Sequence, residues 1–231
     1  HNQDDLVKTL LADLDALSDL HQYVKEVIVV CNITRNKDFK LSTLPLKVIF
    51  NSKPKGFGEN HNMAFQHSSG EFFCVVNPDI RLKSNPFSSM LDTIDEDNVG
   101  VVLPLVFASN GCLEDSIRRF PTFSLFISKL FGSHKYRYRV TDYKKAFTVD
   151  WGAGMFMLFR RKTYEQLKGF DEKFFLYYED VDICTRIWIL QQKVIVCPTA
   201  KVIHDAQRSS HSSLKYLLWH LSSFLKYQSR Y

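Results

Sequence analysis

No apolar run in this 231-residue chain approaches the length needed to span a bilayer, and no charged segment leading into an apolar core opens it. That absence gives the expectation of a soluble or peripheral protein. The five cysteines, Cys31, Cys74, Cys112, Cys184 and Cys197, are odd in number, widely spaced and lack a CxxC pair, so they read as reduced core residues of a cytosolic protein. The glycine-bearing loop at 53–62 matches neither the dinucleotide fingerprint GxGxxG nor the Walker A pattern. There is no internal repeat or low-complexity segment, and the composition excludes collagen, coiled coil and wholesale disorder.

What is present is 45% hydrophobic sequence, enough to bury one substantial core in a single domain. A net charge of +5 and a pI near 8.9 suit nucleic acid, an anionic membrane face or a phosphorylated substrate equally, so charge alone does not choose a partner. Leu6, Leu10, Leu14 and Leu17 recur at helical spacing behind Asp4-Asp5, predicting an amphipathic helix over 3–18. Continuous apolar runs at 26–31, 46–50, 71–76 and 99–103, with helical stretches at 59–68 and 85–95, predict an α/β domain with a parallel sheet covered on both faces. Further strands are expected at 155–159, 193–197 and 200–204, and a hairpin-like turn at Ser109-Asn110-Gly111. In parallel sheets ligands gather at the carboxyl ends of strands, which directs attention to Asn32, the loop 51–60 and Asn77-Pro78-Asp79.

Asp79 leaves a strand at that edge, although Asn, Pro and Asp are also ordinary turn formers. In KPKGFGENHN, Gly56 and Gly58 stand where backbone passes close to a ligand or turns tightly before a helix, flanked by Asn60 and Asn62. The run YYEDVDIC starts a helix. At 100° per residue Glu179, Asp182 and Arg186 share one side, with Arg186 placed to pair with Asp182, while Asp180 points with Cys184 and Ile187. A carboxylate at such a start is a plausible general base; the alternative is plain helix capping. His204 follows a strand-like segment and gains interest only if the fold brings it to Asp79, since histidine and carboxylate together hold a divalent metal. Arg118 and Arg119 open a basic, aromatic region that extends to Lys145. In the last segment Leu214, Leu217, Leu218, Leu221, Phe224 and Leu225 form a helical stripe that fits either a membrane surface or the protein's own core.

The ordered set GFGENHN, NPD, RRFP at 118–121, WGAG at 151–154, GFDEKFFLYYEDVDICTR and the late His204 resembles glycosyltransferase family 2, especially its bacterial rhamnosyltransferase-like members, from residue 1 to beyond 220. The resemblance implies a GT-A fold with a mostly parallel central sheet flanked by helices. It also implies inverting transfer from a dTDP- or UDP-sugar, dTDP-rhamnose among them, to a lipid-linked saccharide in surface-polysaccharide assembly.

By the same resemblance Asp180 is the catalytic base, and Asn32, Gly56, Phe57, Gly58, Asn60, Asn62, Asn77 and Asp79 bind the donor. Trp151, Gly152, Ala153, Gly154 and Glu179 line the sugar and acceptor site, Arg118 and Arg119 meet phosphate, and Asp79 with His204 holds magnesium or manganese. It implies one domain over 1–231: a nucleotide half at 1–103, an acceptor and catalytic half at 104–210, and a C-terminal amphipathic helix at 211–231. The family's first strand would precede residue 1, Cys31 stands where many relatives carry an acid, and Asn77 replaces the first acid of the DxD motif. The expected location is the cytoplasm, peripheral on the inner face of the membrane, with no nucleic-acid partner. A nucleic-acid module leaves the carboxylate motifs unexplained; a catalytically silent nucleotide-sugar-binding or scaffold subunit is the other reading.

Overall fold

The computed structural model describes residues 3–32, 38–122, 124–125, 136–205 and 214–231. Helix α1 (Asp4–Asp15) carries Asp4 and Asp5 in its first turn, where the helix dipole favours them, and buries Leu11 and Leu14. It ends before the expected residue 18 because the chain tightens into a 3₁₀ turn (Leu20–Gln22) that buries Leu20. Strand β1 (Val27–Cys31) pairs in parallel with β2 (Leu46–Phe50). Next come α2 (Phe57–Gln66), β3 (Phe72–Val76), β4 (Ile80–Arg81), α3 (Phe87–Ile94) and β5 (Val99–Ala108), close to the expected spans. The remainder is β6 (Ile117–Arg118), β7 (Phe147–Thr148), β8 (Trp151–Gly152), β9 (Phe156–Arg160), α4 (Arg161–Gln166), α5 (Glu179–Ile189), β10 (Lys193–His204) and α6 (Leu214–Gln228). Phe123 and residues 126–135 of the basic aromatic region lie outside the described residues.

The six-stranded sheet runs β3-β9-β5-β10-β4, with β7 also on β10. It is mixed rather than mostly parallel: β5 and β10 are parallel, but β9 lies antiparallel between β3 and β5. An apolar run shows that a strand is buried on both faces and carries no information on its direction, so the expected parallel sheet is corrected here. The two late strands are also one. β10 continues through a register break between Cys197 and Lys201, where Pro198 has no N–H for the ladder, and so carries His204 to the end of the sheet beside Ala108 and Ile80.

Two cores flank the sheet. Phe159, Tyr164, Phe170, Ile183, Ile187 and Phe224 fill the side of α5 and α6, whereas Leu11, Met90, Ile94, Phe156 and Val202 fill the side of α1 and α3. Each such side chain contributes about 1.5–3 kcal/mol by leaving water. The β1-β2 pair forms a separate sheet, and a cavity of about 670 Å³ lies between β1 and β3, with α1 and α2 along its walls. Of the cysteines, Cys184 and Cys197 are buried as expected, but Cys31 and Cys74 face this cavity and Cys112 is exposed at the turn.

Candidate active site

Three chain segments meet at the end of the sheet around His204. The turn Asn77-Pro78-Asp79 is closed by Ile80 N–H donating to the Asn77 carbonyl at 3.2 Å. The hairpin after β5 folds Glu114 back along its strand, and β10 supplies the histidine. His204 Nε2 lies 3.2 Å from Asp79 Oδ2 and Nδ1 lies 2.9 Å from Glu114 Oε2. Chiefly the hydrogen bond with Asp79, helped by Glu114 and opposed by burial, raises the imidazole to about 9. Asp79 Oδ1 is buried without a hydrogen-bond partner. An orphaned carboxylate oxygen beside an imidazole fits a hard divalent cation. No cluster of three candidate protein ligands is present among the described residues.

The second acidic site opens α5. Tyr177 and Tyr178 both have φ of 69°, a left-handed conformation costly for aromatic residues. It is imposed by α6: Tyr178 packs against Phe224 and Tyr227, and Ser223 Oγ donates to the Leu176 carbonyl at 3.0 Å. This backbone turns Glu179 and Asp180 inward. Asp180 Oδ2 accepts from Gly154 N–H at 3.1 Å and Oδ1 from Val181 N–H at 2.8 Å. Burial raises its pKa; the two amides and the Arg118 charge pull the other way without cancelling it. Glu179, 5% exposed, has an unpartnered Oε2, and burial together with the Asp180 charge lifts it well above the carboxylate range. Asp180, which has the donors, is the member of the pair that ionises first.

Residues 151–155 join the two sites. Trp151 Nε1 donates to the Arg119 carbonyl at 2.8 Å, Ala153 N–H to the Ser116 carbonyl at 2.8 Å, and Gly154 N–H reaches Asp180. One residue later the Met155 carbonyl accepts from Asn77 N–H at 2.9 Å, so Asp180 and the turn holding Asp79 hang on adjacent residues. A Cβ on Gly154 would press to 3.1 Å from the Phe57 ring, and one on Gly152 would meet the Leu103 side chain at 2.2 Å. Arg118 lies over Trp151 at 5.4 Å and pairs with Asp115 at 3.1 Å. Arg119 instead lies over Tyr138 at 5.0 Å.

The glycine loop serves packing first. A side chain on Gly56 would stand 2.7 Å from the Phe175 carbonyl oxygen and one on Gly58 2.6 Å from Phe170 Cβ, so both glycines let α2 lie against the aromatic loop. Asn32, Asn51 and Asn60 form a closed amide network: Asn51 Nδ2 donates to Asn32 Oδ1 at 2.8 Å and to Asn60 Oδ1 at 2.7 Å, and Asn32 Nδ2 donates to the Lys55 carbonyl at 2.9 Å. Asn62 is placed elsewhere than the resemblance implied. Its amide bonds Phe170, Glu172 and Tyr164, and its hydrogen-bonding capacity is used within that junction.

The sequence model of glycosyl transferase family 2 matches residues 2–168. The chain belongs to glycosyl transferase family 2. It is a glycosyltransferase, and it is 28% identical over 250 residues to rhamnosyltransferase WbbL of Escherichia coli (strain K12), an alignment covering 100% of this chain and 90% of that protein. It is 26% identical over 150 residues to N-acetylglucosaminyl-diphospho-decaprenol L-rhamnosyltransferase of Mycobacterium tuberculosis, covering 61% of this chain and 48% of that one. Among solved structures it superposes on GalNAc-T7 with UDP, GalNAc and Mn2+ at a TM-score of 0.69, with 15% identity over 94% of this chain and 44% of that one. Mannosyltransferase PcManGT from Pyrobaculum calidifontis, in complex with GDP-Man and Mn2+, gives 0.65 with 17% identity over 100% of this chain and 62% of that one. These likenesses establish the GT-A fold.

Within this family 2 fold, sequence reasoning missed Glu114, Arg230 and Tyr231. The last two reach Asp182 Oδ1 at 3.0 and 2.9 Å from the far end of the chain, and no local pattern announces them. The C-terminal stripe is also divided: Phe224 and Tyr227 are buried, whereas Leu218, Leu221 and Leu225 are 58%, 46% and 59% exposed. The side chains of Leu214 and Leu217 lie outside the described residues.

Proposed function

We propose that this glycosyltransferase moves a rhamnosyl unit from dTDP-rhamnose to a polyprenyl-diphosphate-linked amino sugar during bacterial surface-polysaccharide assembly, inverting the anomeric centre, with Asp180 as the base. The observation that carries the reading is the setting of Asp180: a half-buried carboxylate bonded only by backbone N–H groups, one residue removed from the segment that fixes the turn of Asp79. The names of the two rhamnosyltransferase relatives support the sugar, and that of the mycobacterial relative supports the acceptor class.

An acceptor hydroxyl is too weak an acid to attack unaided, so Asp180 removes its proton as the bond to the anomeric carbon forms. Arg118, whose charge favours the ionised form of Asp180, is the arginine assigned to the departing diphosphate in this reading. Asp79 and His204 would hold a divalent cation, which when bound would supply charge neutralisation of that leaving group. Glu179, whose pKa burial and the Asp180 charge raise, is the less readily ionised of the pair, which supports Asp180 as the single carboxylate acting in a displacement with inversion. Gly152, Ala153, Gly154 and Trp151 shape the floor of the sugar site, and Gly56, Phe57, Gly58, Asn60, Asn32 and Asn77 hold the backbone that meets the nucleotide.

Among the described residues no helix is long and apolar enough to cross a membrane. The outward face of α6, with Leu218, Leu221 and Leu225, supports a peripheral position at the inner membrane face, where a lipid-linked acceptor is presented. A panel of nucleotide sugars read by thermal stabilisation and by transfer tests the donor: at 100 times its Kd a ligand adds about 2.7 kcal/mol to the folded state. dTDP-rhamnose is expected to stabilise most and to be turned over. Stabilisation by UDP-sugars alone would move the donor assignment, and binding without turnover of any donor would favour a silent subunit.

A further inference from the structure

We infer that Glu114 is a positioning residue for the donor-metal site: it accepts the Nδ1 proton of His204 and so presents Nε2, lone pair outward, to the cation that Asp79 shares. The inference rests on the metal reading given above for Asp79 and His204. Its support is the geometry of a ring held at both nitrogens by carboxylates from different segments. Both ring nitrogens face a carboxylate, Nδ1 at 2.9 Å from Glu114 and Nε2 at 3.2 Å from Asp79, so when a cation takes the Nε2 lone pair in place of a proton the remaining N–H lies on the Glu114 side. On the other side, Asp79 has its second oxygen buried and unpartnered. A carboxylate behind a ligating imidazole fixes the tautomer and the ring plane.

The hairpin is built to hold Glu114 at that place. Gly111, at φ 82°, closes the turn by donating its N–H to the Ala108 carbonyl at 2.8 Å, and Asn110 Oδ1 accepts from Cys112 N–H at 3.0 Å. Glu114 N–H then donates to the Val106 carbonyl at 2.8 Å, which anchors the residue alongside β5 while His204 pairs with Ala108 from β10. From the other flank Asp205 N–H donates to the Asp79 carbonyl at 2.8 Å, and Asp205 itself accepts from Ser109 at 2.9 Å, so hairpin, histidine strand and aspartate turn are mutually braced. Glu114 is thus the side chain on that hairpin that reaches the ring.

The test is Mn2+ binding to the full chain in the presence of dTDP, measured by electron paramagnetic resonance of the free ion, with melting temperatures recorded for every variant. Glu114→Ala is expected to weaken Mn2+ binding ~10–100-fold with dTDP binding in the absence of metal unchanged. Glu114→Gln, whose amide oxygen still accepts from Nδ1, is expected to restore most of the affinity. Wild-type affinity in Glu114→Ala overturns the inference, as does a Glu114→Gln variant that loses as much as Glu114→Ala. If the wild-type chain binds no Mn2+ while still binding dTDP, the metal reading of Asp79 and His204 fails first and takes this inference with it.

Discussion

Asp180 and Asp182 lie two residues apart at the start of α5, the first half-buried and the second fully buried, and they are treated in opposite ways. Asp182, 0% exposed, has Arg186 Nε at 2.8 Å on one oxygen and Arg230 and Tyr231 on the other. Arg186 also donates to the carbonyls of Leu167 and Gly169, so this carboxylate ties α5 to the loop before it and to the end of the chain. Asp180 receives two backbone amides and no arginine in contact, and its neighbour Glu179 leaves an oxygen without any partner. The difference teaches where the fold settles its charges and where it leaves one available. A satisfied buried carboxylate is an anchor, whereas an under-paired one with a raised pKa is a group able to take a proton.

The largest expected effect that sharpens this contrast is on the anchor. Asp182→Asn leaves Arg186 and Arg230 facing a neutral amide and is expected to cost ~3–5 kcal/mol, a fall of about 10 °C in melting temperature, measured by calorimetry. A melting temperature equal to wild type would remove the anchoring role. The pH dependence comes next. Since burial raises Asp180, the acid limb of kcat/KM is expected above that of an ordinary aspartate, with activity present at higher pH and lost as pH falls through it.

Glu179 bears on stability with the opposite pH dependence: its raised pKa makes its contribution greatest at low pH, and that contribution is lost as pH rises through the folded value. Glu179→Gln imitates the protonated side chain and is expected to leave the acid limb in place and not to lower the melting temperature at neutral pH. A limb that moves to lower pH in that variant would mean that Glu179, not Asp180, carries the charge. The smallest structural effect is expected on the outward face of α6. Replacing Leu218, Leu221 and Leu225 by serine should leave the melting temperature nearly unchanged while reducing co-sedimentation with anionic liposomes; equal sedimentation would return that face to solvent.

Most elements were legible because periodicity reports burial: α2, α3 and the runs at β1, β2, β3 and β5 lie within a few residues of their expected spans. The direction of β9 was not, since a strand buried on both faces looks the same either way. The Asp182–Arg186 pair followed from helical spacing alone, but Arg230 and Tyr231 meet it across 48 and 49 residues, and Glu114 meets His204 across 90. Such contacts are products of topology. The turn after β5 was readable from Ser109-Asn110-Gly111; that it aims a carboxylate at a histidine required the sheet. The glycines of the 53–62 loop were correctly expected at a close approach, yet what approaches them is the aromatic loop at Phe170 and Phe175.

The central claim is that Asp180 removes the acceptor proton and does little else. It is tested most directly by Asp180→Asn, with donor affinity and single-turnover transfer measured on the same folded sample. Donor binding close to wild type together with a ~10²–10⁴-fold loss of transfer is the predicted result. Transfer within tenfold of wild type would contradict it.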